Sequence, residues 1–236
     1  MKIFAKIRFY WGAFVISMNT ALFMIPALML FGKYKSTIVH YINRITLLML
    51  GGRLKKVGEM DKSADMYIMN HQGIIDIIGL EALQNNHLRW IAKKELFDTL
   101  WFGNLLRHGE MISLDRGNKA GLRKLMRDVE ESKSKYNRPV AIFPEGTRTE
   151  KQALLNFKQG TNMIAKKLNL RVQAIVITGS KHILNEHNRS AHSGIVQYTF
   201  LDAIDVNENT EEWFDTVKSK MQKVIDDELI NNHRSR

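Results

Sequence analysis

The sequence predicts an α/β fold, in which a mostly parallel sheet is flanked by helices and follows an N-terminal helical hairpin. From residue 66 onwards, short apolar runs typical of strands alternate with helical patterns, and this alternation is typical of parallel sheets. Ahead of them, residues 9–32 form a run of 24 residues without a charge. We therefore expect a membrane-associating helical segment at residues 1–58 and an α/β domain at residues 59–236.

The N-terminal segment holds most of the net charge. Residues 1–58 carry nine basic residues and no acidic one, out of a net charge of +11. The remaining residues are nearly neutral, with 26 basic and 24 acidic side chains. A nucleic-acid-binding protein more often spreads basic residues over its folded domain, so no nucleic-acid partner is expected. Basic residues that flank an apolar run indicate anionic membrane lipids as partners.

The apolar run 9–32 is long enough to cross a bilayer as a helix. Pro26 is expected to kink or break that helix, and a second amphipathic stretch follows at 37–50. Both flanks are basic, so the positive-inside rule gives no orientation. We favour a hairpin that dips into one leaflet, with both ends on the cytoplasmic face of the cell membrane.

Three other interpretations of this run stay open. One is a true membrane span. A buried core helix is the second, although such helices are usually shorter. The third is a cleaved signal peptide, although the run exceeds a typical h-region and no clear A-x-A site follows it.

The elements of the α/β domain are expected in a regular order after the Gly51-Gly52 pair. The expected strands are Met66–Met69, 88–92, 111–114, 140–143, 172–178 and 195–200. The expected helices are Ile74–Leu83, 118–134, 161–168 and 210–230, the last with Asn209 or Thr210 as its N-cap. The tail 231–236 is expected to fray. Cysteine is absent, which excludes disulfides, thiolate catalysis and cysteine metal sites.

The first candidate motif is the string Asn70-His71-Gln72-Gly73-Ile74-Ile75-Asp76. His71 follows a strand and Asp76 lies in the early turns of the next helix. A carboxylate there can bond one ring nitrogen and fix the tautomer, so that the other nitrogen accepts a proton. Because the chain has eight histidines, this spacing alone more often marks a structural histidine.

The second motif is Phe143-Pro144-Glu145-Gly146-Thr147-Arg148. Pro144 ends a strand, and Gly146 permits a positive φ in the loop. Arg148 presents a planar fork suited to a phosphate group, and Glu145 can orient Arg148 or bond a substrate hydroxyl. The alternative is a simple turn with a surface arginine.

Further cations follow two other strands. Arg116 comes after 111–114 and is a second phosphate candidate, while Lys93 and Lys94 come after 88–92, and one of these lysines can reach the phosphate. Each can instead be a solvated side chain. Ligand sites form beyond the carboxyl ends of parallel strands, and both motifs follow strands, so we expect His71 and Arg148 to open into one cavity.

These strings resemble those of the 1-acyl-glycerol-3-phosphate acyltransferase (PlsC-like) family of glycerolipid acyltransferases. That family carries a His-x4-Asp block, a Gly-x5-Asp-Arg-like block and a Phe-Pro-Glu-Gly-Thr-Arg block in this order, and the likeness covers about residues 65–180. It implies a mixed, mostly parallel sheet. It implies His71 as general base with Asp76 as its partner. The acceptor-binding residues that it implies are Lys94, Arg116, Glu145, Gly146, Thr147 and Arg148.

The resemblance also implies an activity. It implies transfer of a fatty acyl group from a thioester, acyl-CoA or acyl carrier protein, to the free hydroxyl of a lysophosphatidic-acid-like acceptor, which gives phosphatidic acid. No metal ion, other cofactor or covalent acyl-enzyme is expected. Glycerol 3-phosphate or another lysophospholipid remains an alternative acceptor, and the donor, the chain length and the oligomeric state stay open.

Two positions depart from the family pattern. Ala174 stands where a proline is usual, which leaves the acyl preference open, and Gly73 stands where a serine is frequent, which predicts a roomier acceptor site. Two rival functions are disfavoured. A non-catalytic membrane adaptor predicts damaged site residues, whereas all are intact here. A serine hydrolase needs a G-x-S-x-G elbow, which the sequence lacks.

Overall fold

A computed structural model describes residues 2–86, 88–115, 119–207 and 212–236. Its main feature is a mixed, mostly parallel sheet with helices on both faces, as the sequence predicts. Among the described residues, the strands are β1 (Gly52–Val57), β2 (Met66–Met69), β3 (Arg89–Lys93), β4 (Ile112–Leu114), β5 (Val140–Ile142), β6 (Arg171–Thr178), β7 (Leu184–Asn185), β8 (Ser190–Ala191), β9 (Gly194–Phe200) and β10 (Ile204–Asp205).

The strand order across the sheet is β1-β9-β6-β2-β5-β3-β4. Strands β2 to β6 run parallel to one another, so their carboxyl ends share one edge. Strand β9 is antiparallel to β6, and β1 is parallel to β9. β10 pairs with the start of β6, and β7 and β8 form a separate hairpin. This topology brings the residues that follow β2 and β5 next to each other at one edge.

Helices cover both faces of the sheet. Those of the described residues are α1 (Lys2–Met18), α2 (Ile25–Leu30), α3 (Lys35–Met49), α4 (Ile74–Leu83), α5 (Lys94–Phe97), α6 (Leu100–His108), α7 (Lys119–Ser134), α8 (Gln159–Lys167), α9 (Ser180–Ile183) and α10 (Trp213–Asn232). Successive side chains of β2 point to opposite faces of the sheet and belong to two separate hydrophobic cores. Met66 and Ile68 pack with α7, α8 and α10, whereas Tyr67 and Met69 pack with α3 and α4. The N-cap expected for α10 lies outside the described residues.

The N-terminal segment is a helical hairpin. Lys2–Leu30 is one continuous helix, long and apolar enough to cross a membrane, and after a turn α3 runs back towards the sheet. Pro26 does not break this helix. The local distortion is a π-helical turn, Asn19–Met24, directly before the proline, in which the N–H of Ile25 donates to the carbonyl of Thr20.

Strand β1 was not predicted, because its sequence contains three cations and exposes most of its side chains. It is an edge strand, paired along its length with β9. Residues 52–57 therefore belong to the sheet, although the sequence groups them with the N-terminal segment. The tail after α10 also differs from expectation. It does not fray, since Arg236 is fully buried and Ser235 accepts a hydrogen bond from Gly179.

Candidate active site

His71 and Asp76 form the contact that their spacing predicts. His71 lies in the three-residue link between β2 and the N-cap of α4, and its Nδ1 is 2.9 Å from Oδ2 of Asp76. The same carboxylate oxygen accepts hydrogen bonds from the backbone N–H groups of Gln72 and Gly73. Asp76 therefore caps its own helix and orients the imidazole at once.

The environment of Asp76 keeps its carboxyl ionised. The side chain is fully buried, and burial raises its pKa. The hydrogen bond and charge of His71 and the two backbone amides lower the pKa, and they outweigh burial, so that it lies below its ordinary value. An ionised Asp76 accepts the Nδ1 proton of His71, which leaves the Nε2 lone pair directed away from the helix.

Aromatic rings hold the plane of the imidazole. Phe143 stacks on His71 with ring centroids 3.8 Å apart and an angle of 13°, and Trp90 stacks on Phe143 at 5.4 Å. Trp90 in turn donates its indole N–H to the buried carboxyl of Glu81 at 2.6 Å. Burial raises the pKa of Glu81 to about 7, partly offset by hydrogen bonds from Trp90 and Gln84.

Arg148 lies beside the ring nitrogen of His71 that faces away from Asp76. Its Nε is 3.3 Å from His71 Nε2, so the second motif meets the first as expected. The guanidinium is held by an ion pair with Glu186, in the β7–β8 hairpin. Glu186 also accepts the N–H of Ile74 at 2.9 Å. Arg148 is about half exposed, and a phosphate group can reach it.

Glu145 has a different position from the one that the sequence predicts. Its side chain is fully buried. It forms no ion pair with Arg148, and it does not line the cavity. Its carboxylate accepts the backbone N–H of His71 at 3.1 Å and of Leu155 at 2.8 Å, and it forms an ion pair with Arg236. The left-handed φ of 71° at Gly146 turns the chain here, so that Glu145 lies inside while Thr147 and Arg148 face outwards.

Two further predicted residues lie apart from the centre. Lys94 is exposed at the start of α5 and is 3.3 Å from Asp115, while its neighbour Lys93 lines the cavity. Adjacent residues at a strand end point to opposite sides, which explains the difference. Arg116 lies outside the described residues. Among the described residues, no group of His, Asp and Glu side chains is arranged to hold a metal ion.

One large cavity joins these groups to the N-terminal hairpin. Its volume is about 1,020 Å³, and His71, Gly146, Thr147 and Arg148 line one end. The rest is mostly apolar. It is formed by the helix Lys2–Leu30 together with α3, α4, β3 and α6. The expected shared cavity is therefore present, and it extends as an apolar space from the imidazole towards the hairpin.

Sequence reasoning missed Glu186, Arg236 and the aromatic stack. Phe143 belongs to the second motif, so the expected convergence of the two motifs is the signal that could have placed it beside His71. Glu186 and Arg236 lie in polar stretches without any motif, and only the fold brings them to the site. No local signal in the sequence distinguishes them from solvated charges.

The chain matches known proteins over most of its length. A model of the family described as Acyltransferase matches residues 52–178. The 1-acyl-sn-glycerol-3-phosphate acyltransferase of Helicobacter pylori is 36% identical over 174 residues, which is 73% of this chain and 73% of that protein. The protein of the same name from Cocos nucifera is 32% identical over 142 residues, which is 60% of this chain but 46% of that protein.

A solved structure has the same fold. It is the crystal structure of the 1-acyl-sn-glycerophosphate (LPA) acyltransferase, PlsC, from Thermotoga maritima, with a TM-score of 0.77 and 21% sequence identity. The match covers 98% of this chain and 99% of that one, so it includes the N-terminal hairpin as well as the sheet.

Proposed function

The chain belongs to the Acyltransferase family, and from this premise we propose that it transfers a fatty acyl group from an acyl thioester to the free hydroxyl of 1-acyl-sn-glycerol 3-phosphate. The product is phosphatidic acid, a precursor of phospholipids. The names of the relatives support this acceptor. The observation that carries the proposal is the shared cavity, in which His71 Nε2 and the Arg148 guanidinium lie side by side.

In this mechanism His71 is the general base. Its Nε2 takes the proton of the acceptor hydroxyl, while Asp76 stabilises the imidazolium that forms. The acceptor oxygen attacks the thioester carbonyl carbon, and a tetrahedral oxyanion forms. The carbon–sulfur bond then breaks, and the leaving thiolate takes the proton back from His71. The ester is formed, the thiol is released, and the enzyme returns to its starting state without a cofactor.

Arg148 binds the phosphate of the acceptor in this proposal. Its fork suits two phosphate oxygens, and its exposed position leaves it accessible from solvent. Thr147 and the Gly146 backbone lie beside it in the cavity wall, and Lys93 adds a second cation to that wall, which Lys94 does not line. Glu145 does not contact the acceptor in this proposal. It accepts the backbone N–H of His71 and so holds the main chain of the base in place.

The apolar part of the cavity suits an acyl chain. It leads from His71 to the hairpin, whose outer surface exposes large apolar side chains, among them Phe4 at 73% and Trp11 at 52%. We propose that the hairpin lies in the cytoplasmic leaflet and that acyl chains enter the cavity from the membrane. The proposed donor is acyl-CoA or acyl carrier protein.

A product assay tests the function. Purified protein in vesicles receives labelled acyl-CoA or acyl carrier protein together with 1-acyl-glycerol 3-phosphate, glycerol 3-phosphate or a lysophospholipid with a larger headgroup. We expect phosphatidic acid as the main product, and a loss of about 10²- to 10⁴-fold in turnover in His71→Ala. Preference for another acceptor would overturn the substrate assignment, and normal turnover in His71→Ala would overturn the mechanism.

A further inference from the structure

The segment after α10 folds back to the edge of the sheet that carries the active site. α10 ends at Asn232, and His233 has a left-handed φ of 53°, which reverses the chain. The carbonyl of Ser235 then accepts the N–H of Gly179 at 2.7 Å. Gly179 follows β6, which is parallel to β2, so this point lies at the same sheet edge as His71.

Arg236 extends from this segment into the interior. Its side chain is 0% exposed, and its Nη2 forms an ion pair with Glu145, whose side chain is also 0% exposed. The Nη1 donates to the carbonyl of Ala153 at 2.7 Å. Arginine is rarely buried to this extent unless a specific partner compensates its charge. The partner here belongs to the second motif of the active site.

Glu145 connects this arginine to the proposed base. The oxygen that pairs with Arg236 also accepts the backbone N–H of His71 at 3.1 Å. The other oxygen accepts the N–H of Leu155 at 2.8 Å, in the same loop as Arg148. One buried carboxylate therefore ties together three segments, namely the main chain of the base, the loop that presents Arg148 and the tail.

We propose that Arg236 is a positioning residue of the active site, which acts through Glu145 on the main chain of His71 and on the loop that carries Arg148. This inference rests on the proposed role of His71. Without the guanidinium, the carboxylate of Glu145 is a buried charge with no counter-ion, and it moves towards water or another donor. His71 and Arg148 then lose their relative placement, on which proton transfer depends.

Matched substitutions test this role. Arg236→Met removes the charge and keeps a long side chain, whereas Arg236→Lys keeps the charge without the fork. Arg234→Met is the control, because Arg234 lies in the same segment but pairs with Glu228 and Gln197, outside the site. We expect kcat to fall roughly 10- to 100-fold in Arg236→Met, with partial recovery in Arg236→Lys and a change below about twofold in Arg234→Met.

The kinetic pattern separates positioning from mere stabilisation. At a temperature well below unfolding, Arg236→Met should lower kcat and raise the acceptor KM while the donor KM stays unchanged. Wild-type kcat and KM in Arg236→Met would overturn the proposal, and so would an equal loss in Arg234→Met. If Arg236→Met does not fold, the double variant Glu145→Gln/Arg236→Met removes both buried charges. A normal kcat in that variant would also overturn it.

Hydrogen exchange provides a readout that needs no substrate. The amide of His71 donates to Glu145, so it should exchange faster in Arg236→Met than in wild type or in Arg234→Met. Unchanged exchange would overturn this inference whatever the acceptor proves to be. Faster exchange in an enzyme that acylates a different acceptor would support it and would overturn only the proposed substrate.

Discussion

The Nε of Arg148 lies 3.3 Å from Nε2 of His71, the ring nitrogen that faces away from Asp76. The proposed base and the proposed phosphate ligand are thus in direct contact. In this arrangement the guanidinium N–H occupies the lone pair that a substrate hydroxyl requires. An acceptor phosphate that draws Arg148 towards itself therefore also frees His71 to accept a proton.

Substitution of Arg148 should act mainly on acceptor binding. We expect Arg148→Ala to raise the KM for the acceptor about 10- to 100-fold, because a charge-assisted hydrogen-bond pair is lost. Arg148→Lys should recover little, since an ammonium group cannot bond two oxygens in one plane. Steady-state kinetics at saturating donor measure this, with the donor KM as internal control. An unchanged acceptor KM in Arg148→Ala would remove the phosphate role.

Asp76→Asn should act on turnover instead. The amide can still accept the backbone N–H groups of Gln72 and Gly73, so the helix cap survives. With its oxygen in that position the amide still faces Nδ1 of His71, but it is neutral and cannot stabilise an imidazolium. We expect kcat to fall roughly 10²- to 10⁴-fold with little change in the acceptor KM. Circular dichroism controls for folding, and a folded Asp76→Asn enzyme with normal kcat would contradict the assignment.

The sequence predicted the parts of the site that local patterns encode. Ile74–Leu83 and Met66–Met69 are found at the predicted bounds, and the strand exits converge as parallel topology requires. Contacts between residues that are far apart in the sequence could not be predicted. Glu145 looked like a substrate ligand, because nothing near it in sequence reveals that Arg236, 91 residues away, fills the space behind it. Likewise β1 is too polar to be recognised as a strand, and its pairing with β9 alone defines it.

Glu186 competes with an acceptor phosphate for Arg148. Its carboxylate pairs with the guanidinium and lies where it would repel a phosphate anion. We expect Glu186→Gln to lower the acceptor KM by about two- to fivefold, which matches the modest energy of a half-exposed ion pair. Glu150→Gln is a suitable control, because Glu150 pairs with Lys181 of α9 and not with Arg148. A higher acceptor KM in Glu186→Gln would show instead that Glu186 holds Arg148 in its productive position.

The exposed apolar side chains of α1 should determine membrane binding. Phe4→Ser/Trp11→Ser removes two large exposed side chains, each of which contributes about 1.5–3 kcal/mol when transferred out of water. We expect flotation with anionic vesicles to drop at least about tenfold. Ile230→Ser is the control, since Ile230 is equally exposed at the far end of α10. Equal losses in both variants would contradict a specific membrane-facing hairpin.

Glu81 should make the stability of the fold pH-dependent. Burial raises its pKa from 4.5 to about 7, so between these values the folded state keeps a proton that the unfolded chain releases. The contribution of Glu81 to stability is therefore complete below about pH 4.5 and is lost as pH rises through about 7. Asp76 affects the pH dependence of stability in the opposite direction. Its pKa is lowered in the folded state, so its contribution to stability is lost in acid.

Glu81→Gln should remove this dependence. The amide can still accept the indole N–H of Trp90 but does not ionise, so we expect the variant to unfold at a higher temperature than wild type at pH 8 and at a similar one at pH 5. Glu130→Gln, an exposed change on α7, should leave the wild-type profile unchanged. Thermal unfolding in one detergent across this pH range measures both. Parallel profiles for wild type and Glu81→Gln would mean that Glu81 is already ionised at pH 5, which the burial of its carboxyl opposes.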